Sequence, residues 1–329
     1  MTYENIIKYY ENIADTIGQT FYNEDARLKY INEDNKSFIY MCNGSRLEHT
    51  KRWLSERIVY MDSKFNYGDF LLSSTIRSNV SGEVSLKVKT YSPQWVEISF
   101  SDSATGTTRQ WCSKDKWYTF TNTIENAVDN NITIRGVTNI MYLQGLENLN
   151  VSSLLVSNAK GLCEIDIHGS KRIQRLELGN NIMLQKLNCK DCINLGIDDN
   201  YKVVNLEKCI NLKYLDLSNT MIGTLQLNKD GGALEYLDLS ETELTYLTCN
   251  HQEYLPEIKL DGCKNLSSVT INGCNALTRL SLPNTKLAEF TVTDCNSLNY
   301  LDISYTGYLV KLDLTGCSNL TTLIMSGIA

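Results

Sequence analysis

A short apolar pair of the form L-x-L recurs at an almost fixed spacing from residue 130 to the end of the chain. The pairs begin at Ile132, Leu143, Leu154, Ile165, Leu176, Leu187, Val204, Leu215, Leu225, Leu237, Leu247, Ile258, Val269, Leu280, Phe290, Leu301, Leu312 and Leu323. Successive pairs are 10 to 12 residues apart, except for a 17-residue step from Leu187 to Val204. Such a period is typical of a stacked solenoid, because no single unit can bury its apolar face alone.

The length of the unit predicts how the solenoid is built. About eleven residues suffice for one short strand and one tight turn, but not for a strand and a helix. Two units, 21 to 23 residues, have the length of a short leucine-rich-repeat coil. We therefore predict a mainly β fold, a leucine-rich-repeat-like β-solenoid over 130–329 with two short strands per coil. Equivalent strands of successive coils are expected to pair in parallel.

The middle residue of each L-x-L pair is expected to point outward, because side chains alternate along a strand. Most of these residues are polar, so the outward columns are the predicted interaction surface of the solenoid. The candidate residues are Thr248, Thr270, Thr291, Asp216, Asp238 and Asp302. A divalent cation bridging the acidic column is one reading, and a plain solvated strand surface is the other. Lys259 interrupts that column, so we expect no metal and no cofactor.

The 11 cysteines follow the repeat instead of forming a motif of their own. Six of them fall at the same position of a unit, where a small residue that bonds the turn backbone is required. We predict free, buried thiols, which favour a reducing compartment. A disulfide between Cys295 and Cys317 and a half zinc site at Cys189-x-x-Cys192 are the alternatives.

Two segments precede the repeats. Residues 1–70 are predicted to be helical, with an amphipathic pattern over 2–18 and a capping box at Ser45-x-x-Glu48. Residues 78–125 alternate with period two and are predicted to form a small antiparallel, sandwich-like β domain. The aromatic residues of that segment are Trp111, Trp117, Tyr118 and Phe120. We expect them in the core, with carbohydrate stacking as the alternative.

Charge and motif content restrict the function. The chain has 31 Lys and Arg against 38 Asp and Glu, a net charge of −7, so nucleic acid is not an expected partner. No apolar run is long enough for membrane insertion, and the N-terminus does not read as a signal peptide. None of the three histidines is spaced for nucleophilic catalysis, so we expect no enzyme. A glycan-degrading module in 1–130 is the enzymatic alternative. The last unit lacks a cap, so we expect the polypeptide to continue beyond Ala329.

Four short segments carry a resemblance: RLEHTKRWLSER at 46–57, YMDSKFNYG at 60–68, GEVSLKVKTYS at 82–92 and IRGVTNI at 134–140. In this order they resemble the very large virion proteins of crAss-like and related phages of gut Bacteroidales, of the tail muzzle type. The resemblance implies a structural protein, oligomeric within a larger tail assembly, that is assembled in the host cytoplasm. Its partners would be other virion subunits or a host surface receptor, and it implies no catalytic residues.

The repeats alone also resemble the surface leucine-rich-repeat proteins of Bacteroidales bacteria, through units of the form L-D-x-S-x-x-x-L. That resemblance implies an extracellular adhesin or glycan-binding protein at the cell surface. Phage structural genes beside this gene would favour the virion, and a lipoprotein signal upstream would favour the adhesin. The sequence therefore predicts a non-enzymatic structural and interaction protein, with these two locations as alternatives.

Overall fold

The computed structural model describes residues 73–100, 106–125, 130–146, 149–306 and 309–328, all within one compact unit, Leu72–Ala329. The fold of these residues is mainly β. Helix is confined to short 3-10 turns such as Val137–Asn139 and Asp199–Tyr201. Among the described residues there is accordingly no helix that could cross a lipid bilayer. The predicted helical segment 1–70 lies outside the described residues.

The described residues form 23 strands. They are β1 (Ser73–Ser78), β2 (Gly82–Thr90), β3 (Gln94–Ser99), β4 (Thr107–Cys112), β5 (Trp117–Ile124), β6 (Asn130–Arg135), β7 (Ile140–Gln144), β8 (Val151–Leu155), β9 (Glu164–Asp166), β10 (Arg175–Glu177), β11 (Lys186–Asn188), β12 (Val203–Asn205), β13 (Tyr214–Asp216), β14 (Thr224–Gln226), β15 (Tyr236–Asp238), β16 (Tyr246–Asn250), β17 (Glu257–Lys259), β18 (Ser268–Asn272), β19 (Arg279–Ser281), β20 (Glu289–Thr293), β21 (Tyr300–Asp302), β22 (Lys311–Asp313) and β23 (Thr322–Ile324). Strands β1 to β8 form two layers, which we call the sandwich, and the later strands form the solenoid.

The sandwich consists of two antiparallel layers. One layer has the order β8-β1-β6-β3-β4 and the other has the order β7-β2-β5. Strand β2 illustrates the pattern that produces the sandwich: Val84, Leu86 and Val88 are buried, and the residues between them face outward. Apolar residues at every second position fill one face of a strand. The inward residues of both layers belong to one hydrophobic core.

The solenoid is a two-faced spiral of parallel strands, as the repeat predicts. Odd-numbered strands from β9 to β23 form one face, in which Ile165 pairs with Leu187 and Leu215 with Leu237. Even-numbered strands from β10 to β22 form the other face. Both residues of a typical L-x-L pair are buried; Leu237 and Leu239 are 1% and 0% exposed. The two short strands per coil on different faces are therefore confirmed.

The two layers of the sandwich continue directly into the two faces of the solenoid. Strand β7 pairs antiparallel with β2 and in parallel with β9, and β8 pairs antiparallel with β1 and in parallel with β10. The first L-x-L pair, Ile132 to Ile134, lies in β6, which is antiparallel to β1 and β3. The same apolar alternation serves both kinds of pairing, so it does not reveal where antiparallel order ends. One uninterrupted core runs through the sandwich and the solenoid.

The long 17-residue step interrupts the even face only. On the odd face, β11 still pairs with β13 across the longer coil. On the even face, β10 ends one sheet and β12 begins another, with no pairing between them. The carbonyl of Gln174, which precedes β10, accepts a hydrogen bond from Gly196 N–H (3.4 Å) in the inserted segment. The inserted residues therefore take the acceptor that would hold β12 against β10.

Candidate functional site

One residue from every strand of the eleven-stranded sheet lies in a single outward row. From β5 to β23 the row is Trp117, Lys89, Tyr142, Glu164, Lys186, Tyr214, Tyr236, Glu257, Arg279, Tyr300 and Thr322. We call it the charged row; apart from Thr322 at its end, it consists of aromatic rings and charged groups. At the usual spacing of neighbouring strands, it is roughly 50 Å long.

The middle of the charged row is held together by contacts between successive coils. The rings of Tyr214 and Tyr236 stack with centroids 4.5 Å apart and planes 4° apart. Lys186 Nζ lies 5.8 Å from the Tyr214 centroid, and Lys259 Nζ lies 4.8 Å from the Tyr236 centroid. Because the ring spacing matches the strand spacing, the rings stand on edge above the sheet. Their faces are covered, and both side chains are partly exposed.

Charged groups of the row form ion pairs in addition to their contacts with aromatic rings. Lys186 Nζ contacts Glu164 Oε1 at 2.7 Å and Asp166 Oδ2 at 3.2 Å. The hydrogen bond with Glu164 is the main reason that the pKa of Lys186 is raised. Burial, followed by the nearby Asp216 carboxylate, raises the pKa of Tyr214 to about 12. The lysine therefore stays charged and the tyrosine neutral near neutral pH. Farther along, the Arg279 guanidinium lies 3.8 Å from the centroid of Tyr300.

The acidic candidates lie beside the charged row. The register places Asp216 opposite Asp238, whereas Lys259 and Ser281 separate Asp238 from Asp302. Asp216 is 3% exposed, and its Oδ1 accepts hydrogen bonds from Ser218 N–H (3.0 Å) and Ser218 Oγ (2.6 Å).

The remaining acidic contacts repeat the same scheme. The hydroxyls of Tyr214 and Tyr236 donate to Oδ2 of Asp216 (3.3 Å) and of Asp238 (3.1 Å). Asp302 Oδ1 accepts from Ser304 N–H at 2.9 Å. These carboxylates therefore cap turns and anchor tyrosines. Within the described ranges, no three His, Cys, Asp or Glu side chains are arranged to hold a metal ion.

The threonine candidates lie on the other face of the spiral. Thr248, Thr270 and Thr291 form one column across β16, β18 and β20. A second polar column beside it contains Asn272, whose Nδ2 donates to Thr293 Oγ1 at 2.8 Å. The even face and the odd face are separate sheets, so the structure does not bring the threonine and aspartate columns together. The two columns are two surfaces and not one site.

The cysteines are part of the core. The ten described cysteines are free and buried, which confirms the predicted burial. The thiols of Cys192, Cys263, Cys274 and Cys317 bond carbonyls of the preceding coil, as in Cys192 Sγ to Ile167 O (3.1 Å) and Cys317 Sγ to Val292 O (3.2 Å). Burial raises the pKa of Cys192 to about 12 and that of Cys209 to about 11. These thiols are therefore protonated and unreactive at neutral pH.

A cluster of aromatic and basic residues surrounds one end of the sandwich. Trp111 and Trp117 are each 44% exposed, so the expectation that they belong to the core is wrong, whereas Phe120 is fully buried as expected. Alternation explains the difference, because Trp111 lies one residue before the buried Cys112 and Trp117 lies three before Phe120. Each tryptophan therefore points away from the core. An odd sequence separation between each tryptophan and a buried residue of the same strand is the sequence signal that identifies these two side chains as outward.

These rings form two pairs on neighbouring strands, and each pair has a cation beside one of its rings. Trp95 pairs with Trp111 across β3 and β4, with ring centroids 5.6 Å apart. Trp117 and Tyr142 both lie on the other layer, on β5 and β7, with ring centroids 6.0 Å apart. The edge strands of the two layers are joined by a hydrogen bond from Gln110 Nε2 to Thr119 O (2.9 Å). We call Trp95, Trp111, Trp117 and Tyr142 the aromatic belt; its last two members begin the charged row.

Two surface grooves complete the candidate sites. One, of about 380 Å³, lies between β10 and β12, where the even face is interrupted, and is lined by Glu177, Gly179 and Asn205 among others. The other, of about 460 Å³, is an open depression beside Asp230, His251 and Glu253. Glu177 is already paired with Arg175. The grooves therefore offer less distinctive chemistry than the charged row and the aromatic belt.

Comparisons with family models, curated proteins and solved structures find no match to this chain.

Proposed function

We propose that this chain is a non-enzymatic structural and binding protein, a leucine-rich-repeat-like scaffold that holds partner proteins. The observation that carries this proposal is the continuity of both sandwich layers with the two solenoid faces. A solenoid with nearest-neighbour coil contacts is stiff along its axis, and shared strands extend that stiffness into the sandwich. A partner bound at the sandwich is thereby held in a fixed relation to one bound along the coils.

The charged row supports a protein as the partner of the solenoid. Its side chains are already fixed by stacking and ion pairs, so binding orders few additional rotamers. Tyrosine and arginine, the residue types that dominate protein interfaces, occupy four of the eight solenoid strands in the row. Because the ring faces are covered, the row presents ring edges and charged groups to a partner. These groups suit the polar rim and hydrogen bonds of a protein interface.

We place the scaffold in a phage tail, as one subunit of a larger oligomeric assembly that forms in the host cytoplasm. The segments at 46–57, 60–68, 82–92 and 134–140 support this location, and so do the many free thiols. The alternative is a secreted surface adhesin or glycan-binding protein of Bacteroidales. The exposed tryptophans of the aromatic belt favour that alternative.

Immunogold electron microscopy with an antibody against the purified chain separates the two locations. We expect gold particles at one end of the tail of purified virions and none on uninfected cells. Label on the surface of uninfected bacteria, with virions unlabelled, would establish the adhesin. Label on neither would overturn both locations, and hydrolysis of a polysaccharide by the purified chain would overturn the non-enzymatic assignment.

A further inference from the structure

We propose that the aromatic belt is a binding site for an acidic polysaccharide. The site lies on the sandwich, where Trp117, Lys89 and Tyr142 begin the charged row, and does not include the solenoid part of that row. Its ligand is a linear sugar chain whose repeats carry carboxylates, such as a uronic acid polymer. The inference rests on the repeated combination of an aromatic ring and a cation.

Three ring–cation pairs occur at this end of the sandwich. The Arg109 guanidinium lies 4.8 Å from the ring centroid of Trp95, and Lys89 Nζ lies 5.7 Å from that of Tyr142. Lys114 Nζ lies 5.5 Å from the ring centroid of Tyr91 in the β2–β3 turn. The pairs come from different strands and loops, yet each has the same composition. A pyranose ring has an apolar face that packs on an aromatic ring, and a carboxylate on that sugar pairs with the adjacent cation.

Three aromatic rings of this surface are exposed. Tyr91 is 51% exposed, and Trp111 and Trp117 are 44% exposed, so large apolar surfaces face the solvent here. The belt crosses the strands β3, β4, β5, β2 and β7 in order, which is a width of roughly 20 Å at normal strand spacing. An extended polymer that follows the belt meets one ring after another.

The charge of this surface differs from that of the whole chain. Lys89, Arg109, Lys114 and Lys116 surround the belt, whereas the acidic side chains nearby are Asp115, Glu97 and Glu164. Glu164 is already paired with Lys186. Glu97 Oε1 is already paired with Arg135 at 2.6 Å. The chain as a whole carries −7. A positive surface on an acidic protein favours a negatively charged ligand.

The spacing of rings and cations favours a sugar chain over an acidic protein. A protein interface needs a continuous apolar centre, and lysine is depleted there. Here Lys89 lies between Trp117 and Tyr142 in the register of the sheet, and a cation accompanies each ring pair. A ligand with one apolar face and one negative charge per repeat matches this alternation.

The belt can be altered without disturbing the fold. Trp111 and Trp117 point outward, and the core beneath them consists of residues such as Ile98, Cys112 and Phe120, each 0% exposed. Tyr246 is also 44% exposed but lies on β16 of the solenoid, far along the chain from the belt. Tyr246→Ala is therefore a matched control for the loss of one exposed aromatic ring.

The test is isothermal titration calorimetry of the full chain with polygalacturonate, with neutral dextran as the control polymer. We expect binding to polygalacturonate only, weakened by added salt because the ligand is charged. Trp111→Ala, Trp117→Ala and Lys114→Glu should each weaken it by at least about tenfold, as for truncation of a central contact residue. Tyr246→Ala should bind like the wild type, and all four variants should retain the wild-type melting temperature.

Three results would overturn this inference. The first is no binding of the wild type to polygalacturonate or to a sulfated polymer such as heparin. The second is binding that Trp111→Ala and Trp117→Ala leave unchanged. The third is equal or tighter binding of poly-glutamate with loss in the same variants, which would make the belt a surface for acidic proteins. None of these results bears on the scaffold proposal, because cooperative unfolding of the sandwich and the solenoid tests that proposal separately.

Discussion

The aspartate that follows the central leucine of a strand has a local role in four coils. Asp216, Asp238, Asp302 and Asp313 each accept the N–H of the residue two positions later at 2.9 to 3.0 Å. Aspartate favours such turns because its short side chain reaches its own backbone. The sequence predicts correctly that Asp216 and Asp238 lie on one face one coil apart, and their carboxylates cap turns there.

Removing one of these caps should destabilise the protein only where the turn is buried. Asp216→Ala leaves the buried Ser218 N–H without its acceptor, and we expect a loss of about 1–3 kcal/mol in the free energy of unfolding. Asp216→Asn keeps the acceptor and should cost clearly less. Asp313→Ala is the matched control, because water can replace the cap in that exposed turn. Urea denaturation measures all three; equal losses for Ala and Asn at 216 would indicate a role for the charge itself.

The buried thiols should make stability fall at high pH. Burial raises the folded-state pKa of Cys192 to about 12 from the ordinary value of 9.0, and it also raises the pKa of Cys189. The unfolded state therefore loses protons first, so the stabilisation is complete below pH 9 and decreases as the pH rises above it. We expect a slope of about 1.4 kcal/mol per pH unit for each such thiol.

Urea denaturation between about pH 8 and pH 10 measures this slope, and modification with iodoacetamide at pH 8 provides the control. We expect the native protein to react far more slowly than the unfolded chain. A free energy of unfolding that stays constant over this range would contradict the burial of the thiols.

At the scale of strands, periodicity predicts the elements well and their partners less well. The L-x-L spacing identifies the short strands of the solenoid and their two faces. It does not distinguish Ile132 in antiparallel β6 from Ile165 in parallel β9, because both strands bury alternate residues. The charged row also escapes prediction, because it requires the register of strands whose coils differ in length. The sequence pattern thus locates the strands but does not show which strands pair, or in which direction and register.

Equivalent leucines should differ in importance according to their position in the stack. Leu237 lies between two coils and is 1% exposed, whereas Leu323 occupies the same position in β23 and is 43% exposed. Leu237→Ala should cost about 2–5 kcal/mol, because a cavity forms in a packed core. Leu323→Ala should cost less than about 1 kcal/mol. Thermal or urea unfolding compares them, and equal effects would contradict the assigned packing.

The interrupted even face should be detectable by amide hydrogen exchange. Tyr214, the first residue of β13, donates its N–H to Gln185 O, just before β11, at 3.0 Å. Val203 is the first residue of β12, and the corresponding acceptor just before β10 is Gln174 O. That carbonyl instead accepts the N–H of Gly196. The amide of Val203 should therefore exchange much faster than that of Tyr214, by about tenfold or more. Exchange monitored by NMR compares the two amides in one sample. Equal protection would mean that β12 pairs with β10 after all.

At the scale of the whole described unit, the sandwich and the solenoid share both sheets and one core. The sequence places the boundary between these regions near residue 130, where the period changes, whereas β6, β7 and β8 still belong to the sandwich. It does not show that strands β7 and β8 belong to both, because each carries an ordinary apolar pattern. A stiff scaffold needs this continuity, since a flexible linker would let the two regions move independently.

Cooperative unfolding tests this continuity most directly. In a Trp53→Phe variant of the full chain, all remaining tryptophans lie in the sandwich, so their fluorescence reports on that region. Hydrogen exchange of peptides that contain β13 and β15 reports on the solenoid in the same urea series. We predict one shared midpoint, because unfolding either region exposes the strands and core of the other. Solenoid peptides that stay protected after the tryptophan signal has unfolded would contradict a single rigid unit.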